Sequence, residues 1–240
     1  MNAWRARIGK VSPSRGDNYV YEFYEMIPKN ILLTQVATTV RSLTKDDFAR
    51  AYDAYEEAAL TLVQEGVEVL IIGGGPVFVS QGAGSEKTLR ARLKQATSLT
   101  VITEISAAAA AAEALGIRKL ALISPYLPPL NGLLAAYFQE RGFQVPVIRG
   151  MGIEKNIEIG RLPEEASYEL TTRAFREGED VDGFYLTCSR WRTAGNIDRL
   201  ERETGKPVIT SVQATVWAAL RELGINDRIE GFGALFNHRP

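Results

Sequence analysis

The sequence predicts an α/β fold made of two similar parallel-sheet halves, related by a pseudo-two-fold, with a cleft between them. Three observations lead there. Strand-like and helix-like segments alternate along the chain, the pattern of parallel strands joined by helical crossovers. Val67–Ile72 is an apolar run interrupted only at Glu68, the mark of a strand covered on both faces. The pattern then restarts: Lys10-Val11-Ser12-Pro13-Ser14 resembles Leu122-Ile123-Ser124-Pro125-Tyr126, and the strand ending at Gly74 resembles the one ending at Cys188. The two matches have nearly one offset, about the length of a compact domain.

In chain order, Ala6–Ser12 reads as a first strand stopped by Pro13, and Asn30–Val40 as a second. Thr44 is a fitting N-cap for a helix with Asp46 and Asp47 in its first turn, running through Ala49, Tyr52, Ala59, Leu62 and Val63 to Gly66. The Val67–Ile72 strand enters the Gly73-Gly74-Gly75-Pro76 turn. Ser85–Thr97 reads as a helix, Leu99–Thr103 as a strand and Ser106–Leu115 as an Ala-rich helix closed by Gly116. In the second half Lys119–Ile123 is a strand, Leu130–Arg141 a helix, Gln144–Ile148 a strand, Glu164–Arg176 a helix and Gly183–Leu186 a strand. Ile197–Thr204, Pro207–Thr210 and Gln213–Leu223 follow as helix, strand and helix. The halves are expected to comprise residues 1–115 with 213–240, and residues 116–212.

Composition narrows the function. The chain has 240 residues, 45% of them hydrophobic, and a net charge of −1 with no basic cluster, so no nucleic-acid partner is expected. The longest mainly apolar stretches, Val67–Gly75 with Glu68 and Ile105–Ala112 with Ser106, are too short or too rich in Ala to span a bilayer, and Met1–Ile8 lacks the apolar core of a secretory leader. One cysteine allows no intramolecular disulfide, and a cytoplasmic setting is expected. One histidine, His238 near the end, makes a His-based metal site or a Ser–His triad a poor expectation.

In open parallel sheets ligands bind beyond the carboxyl ends of the strands. The turns Ser12–Ser14, Gly73–Pro76, Ser124–Tyr126 and Thr187–Ser189 all follow strands, so facing halves would bring them to one cleft. A lone cysteine is more often a small buried hydrophobe than a catalyst. Cys188, however, stands at such a turn, where backbone N–H groups are expected to lower its pKa and suit it to proton transfer at carbon. The Gly73–Pro76 turn lets a ligand approach the backbone, with N–H groups for an oxyanion. It is no dinucleotide fingerprint, and Gly82–Thr88 reads as a helix entry rather than a phosphate loop. Tyr126 is either a donor to a carboxylate or a packing tyrosine. Arg15, Arg190 and Arg192 lie near the turns and suit an acid. Asn156 reads as a loop residue.

Taken together, Arg7–Pro13, Val69–Gly82, Gly116–Leu122 with Tyr126, Asn156–Arg161, Leu186–Ser189, Gly205–Ser211 and Trp217 resemble the arylmalonate decarboxylases, maleate cis–trans isomerases and related proteins of the aspartate/glutamate racemase superfamily. The resemblance spans essentially the whole chain. It implies two Rossmann-like (flavodoxin-like) halves, an active site between them and no cofactor. In that family racemases and maleate isomerases carry a cysteine in each half, whereas arylmalonate decarboxylases keep the second alone. Here Gly74 stands at the first position and Cys188 at the second, the decarboxylase arrangement. The implied chemistry is loss of one carboxylate of a malonate-type acid from an apolar pocket, with the other held as an enediolate that Cys188 protonates. Matching donors are the Gly75 N–H, the Tyr126 hydroxyl and Ser189; Ser14 joins the binding positions, and Val40, Leu43, Val77 and Ile159 match the pocket. The sequence departs from the decarboxylases at Gly75 and Pro76, where they place hydroxyl residues, and Asn156 in its context looks more like the isomerases. The expected partner is therefore a small carboxylic acid, with a decarboxylase first, an isomerase second and a non-catalytic acid-binding protein third.

Overall fold

The computed structural model describes residues 4–15, 17–178 and 180–237, so His238 lies outside the described residues. The first half contains β1 (Ala6–Ser12), α1 (Asp17–Met26), β2 (Ile31–Ala37), α2 (Lys45–Gln64), β3 (Val69–Ile72), α3 (Gly75–Ser80), α4 (Ser85–Thr97), β4 (Thr100–Thr103) and α5 (Glu104–Ala114). The second contains β5 (Lys119–Ser124), α6 (Pro128–Gln139), β6 (Gln144–Gly150), α7 (Asn156–Ile159), α8 (Glu165–Arg176), β7 (Gly183–Leu186), α9 (Ile197–Thr204), β8 (Val208–Thr210) and α10 (Ser211–Glu222).

The strands form two parallel sheets, ordered β2-β1-β3-β4 and β6-β5-β7-β8. Their registers repeat as well. Val11 lies opposite Ile72 and Ile72 opposite Thr103; in the second sheet Ile123 lies opposite Leu186 and Leu186 opposite Thr210. The internal repeat read from the sequence is thus a structural one, and it sets Gly73 and Gly74 in one half against Thr187 and Cys188 in the other. Each central strand hands its turn over in the same way: the Gly73 N–H donates to Val11 O at 2.8 Å and the Thr187 N–H to Ile123 O at 2.9 Å.

The helices follow their local chemistry. Thr44 caps α2 by accepting the Asp47 N–H, and the helix buries Phe48, Ala51, Tyr55, Ala59 and Leu62 along one face. Thr103 and Thr210 close reciprocal capping boxes with Ser106 and Gln213 at the starts of α5 and α10. Both of these helices are buried on most sides, because they pack on each other across the seam. α10 directly follows β8 and is counted with the second repeat, whereas the sequence reading grouped residues 213–240 with the first half; it also reaches β3 and β4, and α5 reaches β8, so each repeat's last helix touches the other repeat's sheet.

Three helices differ from the sequence reading. α1 is unanticipated; it buries Tyr19, Phe23 and Met26 at helical spacing. α3 begins inside the expected glycine turn, where Pro76 fits the first helical turn because no N–H is needed there. Asn156 lies not in a loop but in the single turn of α7, pinned to the first half by its N–H on Arg41 O and a Ser42–Lys155 bridge. β2 also stops at Ala37 rather than Val40, because its neighbour β1 ends at Ser12, before Pro13. No described helix is long and apolar enough to cross a membrane.

Candidate active site

The carboxyl ends of the two sheets meet at a narrow cavity of about 40 Å³. From the first half its wall takes Ser12, Pro13, Ser14, Val40, Gly74 and Val77; from the second, Tyr126, Asn156, Cys188, Ser189 and Arg190. The sulfur therefore faces the seam rather than the interior of one lobe. Larger grooves on the surface, such as that between β2 and α2, have no thiol.

Cys188 is buried and has φ of 104°, a left-handed conformation that costs energy in any residue with a Cβ. Its N–H donates to Ser211 Oγ at 3.1 Å, and Ser211 in turn meets the Tyr185 hydroxyl at 2.9 Å. The expectation of a lowered thiol pKa is overturned. Burial pushes it up to about 11, outweighing the Tyr126 hydroxyl and the backbone N–H groups of Arg190 and Trp191, which pull the other way. At neutral pH this sulfur carries its proton. Tyr126 stands against it with its own pKa pushed far up, chiefly by burial, so the phenol is a donor. Its backbone is fixed by Ser124, whose hydroxyl accepts the Tyr126 N–H at 3.1 Å, and by Asn131, whose amide donates to Tyr126 O at 3.1 Å.

Gly74 occupies the equivalent turn in the first half and also has a left-handed φ, of 88°. A Cβ there would lie 2.8 Å from the Tyr55 hydroxyl. The Gly74 N–H is already taken, donating to Glu104 Oε2 at 2.8 Å, so Gly74 offers the cavity its surface and not a donor. Gly75, expected in the wall, is buried behind it at the first position of α3, facing Ile105 and Leu134. Only its N–H, which has no partner within the helix, points to a ligand role. Ile159, expected in the pocket, is packed in the core instead.

The other expected residues come together. Asn156 donates from Nδ2 to Ser14 Oγ at 2.9 Å and to Val40 O at 3.0 Å, tying α7 to the first half. Arg190 lies beside Ser14, donates to Arg15 O and leaves Nε buried without a partner. Arg192 is drawn away into an ion pair with Glu164. The cavity is thus apolar along Pro13, Val40, Leu43, Phe48, Pro76 and Val77 and polar along Ser12, Ser14, Glu104, Asn156, Ser189 and Arg190.

Two groups were not singled out in the sequence. Lys10 is fully buried on β1, its Nζ 2.7 Å from Glu104 Oε1 and 3.6 Å from the centre of the Tyr19 ring. Burial draws its pKa down against the attraction of Glu104. The signal was a lysine amid the apolar run Ile8–Val11, followed by a carboxylate at the mouth of β4. No cluster of His, Cys, Asp or Glu among the described residues is arranged for a metal.

A family model described as arylmalonate decarboxylase matches residues 10–236. The arylmalonate decarboxylase of Bordetella bronchiseptica is 29% identical over 82% of this chain and 82% of its own. A maleate isomerase of Pseudomonas putida is 26% identical over 96% of this chain and 97% of its own. Among solved structures, a liganded glycine-to-cysteine, cysteine-to-serine double mutant of arylmalonate decarboxylase superposes with a TM-score of 0.90 at 26% identity, covering 98% of this chain and 100% of its own.

Proposed function

The chain belongs to the arylmalonate decarboxylase family, and from that premise we propose that it is a cofactor-independent decarboxylase of a malonate-type acid bearing an aryl or alkyl substituent. The observation that carries this is the solitary thiol: at the seam between the halves, kept protonated by burial, and lining a cavity with an apolar stretch of Pro13, Val40, Leu43, Phe48, Pro76 and Val77. One carboxylate of the substrate lies in the apolar part, where its charge is poorly solvated, and departs as carbon dioxide. Its electron pair passes to the α-carbon and the retained carboxylate, which becomes an enediolate. The Tyr126 hydroxyl, Ser189 and the Gly75 N–H are the donors for that growing charge. Cys188 then gives its proton to the carbon, and the thiolate recovers one from water.

A second reading, isomerisation of a small unsaturated dicarboxylate, is favoured by the polar wall of Ser14, Asn156 and Arg190. Chemistry that begins with a thiolate has less support. With burial pushing the thiol up to about 11, its protonated form predominates at neutral pH.

The test is a set of malonate-type and maleate substrates followed by NMR in heavy water. Carbon dioxide release with one deuteron at the α-carbon is expected, and Cys188→Ala lowers kcat by about 10²–10⁴-fold, the worth of a general acid. Fumarate formed from maleate with no turnover of malonates would reverse the ranking. Unchanged turnover in Cys188→Ala would remove the thiol from the mechanism.

A further inference from the structure

The loop that follows Cys188 is held from outside, by α1. Asn18 and Glu22 lie four residues apart on one face of that helix. Asn18 donates from Nδ2 to Arg190 O at 2.8 Å and to Gly160 O at 3.3 Å. Glu22 Oε1 accepts the N–H of Thr193 at 2.5 Å and of Ala194 at 2.9 Å. The carboxylate is 2% exposed, and its other oxygen, Oε2, has no partner.

The held loop has few internal bonds of its own. Of the seven buried side-chain polar atoms found without a partner among the described residues, four are Glu22 Oε2, Arg190 Nε, Trp191 Nε1 and Thr193 Oγ1. Each such atom lacks the compensation that normally fixes a buried polar group. At the head of the loop, Cys188 has its left-handed φ of 104°. A strained residue and an undersatisfied loop persist only where neighbours hold them; Asn18 and Glu22 do so from α1, beside the contacts of Arg190 with Arg15 O, Arg192 with Glu164 and Asn196 with Glu164 O and Ser167.

We propose that Glu22 is a positioning residue for the thiol: through Thr193 and Ala194 it holds the loop that shields and orients Cys188, and it holds less firmly once its carboxylate is ionised. The proposal rests on the reading of Cys188 as the reacting group. The buried site disfavours the charged carboxylate more than the two N–H groups favour it, and release of the loop would give that charge back to water, which makes ionisation the control. Burial raises Glu22 to about 7, with Glu25 on the same helix and Glu164 ahead of α8 adding repulsion and the two backbone N–H groups opposing it. The other charges around it are already engaged. Arg192, on the loop, is paired with Glu164, and the Lys10–Glu104 pair meets α1 at Tyr19. α10 meets α1 through Thr215, which bonds the Tyr19 hydroxyl.

The lone cysteine provides a readout that needs no substrate. Alkylation by iodoacetamide in the intact protein reports how often the loop uncovers the sulfur, multiplied by the thiolate fraction. That fraction rises tenfold per pH unit well below the thiol pKa. In the unaltered protein the rate is expected to rise more than tenfold per unit up to about pH 7, because the loop loosens as Glu22 ionises. Glu22→Gln, which keeps the neutral form at every pH, is expected to return the slope to tenfold and to react at least about fivefold more slowly at pH 8. Asn18→Ala, which removes a contact that does not titrate, is expected to speed alkylation at every pH without changing the shape of the profile. A full tenfold slope in the unaltered protein overturns the proposal even if Glu22→Gln fails to fold, and so does an unchanged break in Glu22→Gln. Because no turnover is measured, failure here is distinct from failure of the decarboxylase reading.

Discussion

A lysine with no exposed surface stays in a fold only if its charge is answered. Lys10 is answered by Glu104 and the Tyr19 ring, and Glu104 by Lys10 and the Gly74 N–H. Removing one partner of such a pair leaves the other charge buried, so Glu104→Gln is expected to cost about 3–5 kcal/mol, read by urea unfolding; a loss below about 1 kcal/mol would mean that the pair is dispensable. Glu22 gives a pH-dependent counterpart. The native state holds its proton to about pH 7, against 4.5 for an ordinary carboxyl. Its contribution is therefore full below about pH 4.5 and is lost as pH rises to about 7. That is on the order of 3 kcal/mol. Unfolding free energies of Glu22→Gln at pH 5 and pH 8 should lack this part of the decline; an undiminished decline would assign it to other groups. Cys188, Tyr126, Ser189, Ser14, Asn156, Gly74, Val40 and Val77 were legible as candidates because chain position relative to strand ends, joined to the family resemblance, places residues at a cleft. The Lys10–Glu104 pair and the Glu22 contact were not, since each joins residues far apart in sequence that meet only in three dimensions. The thiol's pKa was misjudged because burial cannot be read from the order of residues.

The two strand-end turns form the same unit with different residues. Gly74 and Cys188 both adopt left-handed backbone, and only Gly74 does so without a side-chain penalty. Gly74→Ala is expected to lose about 1–3 kcal/mol of stability, from the backbone strain and from a Cβ 2.8 Å from the Tyr55 hydroxyl, which itself donates to Gly73 O. A thermal midpoint within one degree of the parent would show that the turn adapts. Strands and long helices were read to within a few residues, because apolar runs, Thr caps and Gly stops act locally. β7, α4 and α9 match at both ends. α1 was missed although Tyr19, Phe23 and Met26 recur at helical spacing, because its other aromatic residues, Tyr21 and Tyr24, equally favour strand. α7 had no signal of its own: one turn is too short to be stable alone, and its contacts with Arg41 and Val40 hold it.

At the scale of the whole molecule the halves are repeats without being independent. α10, the last helix of the second repeat, packs on α5 and α1 and reaches β3 and β4, while α5 reaches β8. A fragment ending at residue 115 therefore leaves buried surface of β3, β4 and α5 in water, and a fragment from 116 onward does the same for β8 and α10. Apolar burial contributes about 25 cal/mol per Å², and whole-domain stability is only about 5–15 kcal/mol, so losing a helix–helix seam is enough to unfold either piece. The full chain should unfold in one transition by circular dichroism and by tryptophan fluorescence, Trp4 lying in one half and Trp191 and Trp217 in the other. The fragments 1–115 and 116–240 should each lack a cooperative transition and regain one when mixed. A first fragment that melts cooperatively alone would show the seam to be a docking surface between finished domains. The seam would then be free to open as a hinge, and the cavity, whose walls come from both halves, would admit its ligand by separation of rigid bodies rather than by movement of the loop after Cys188.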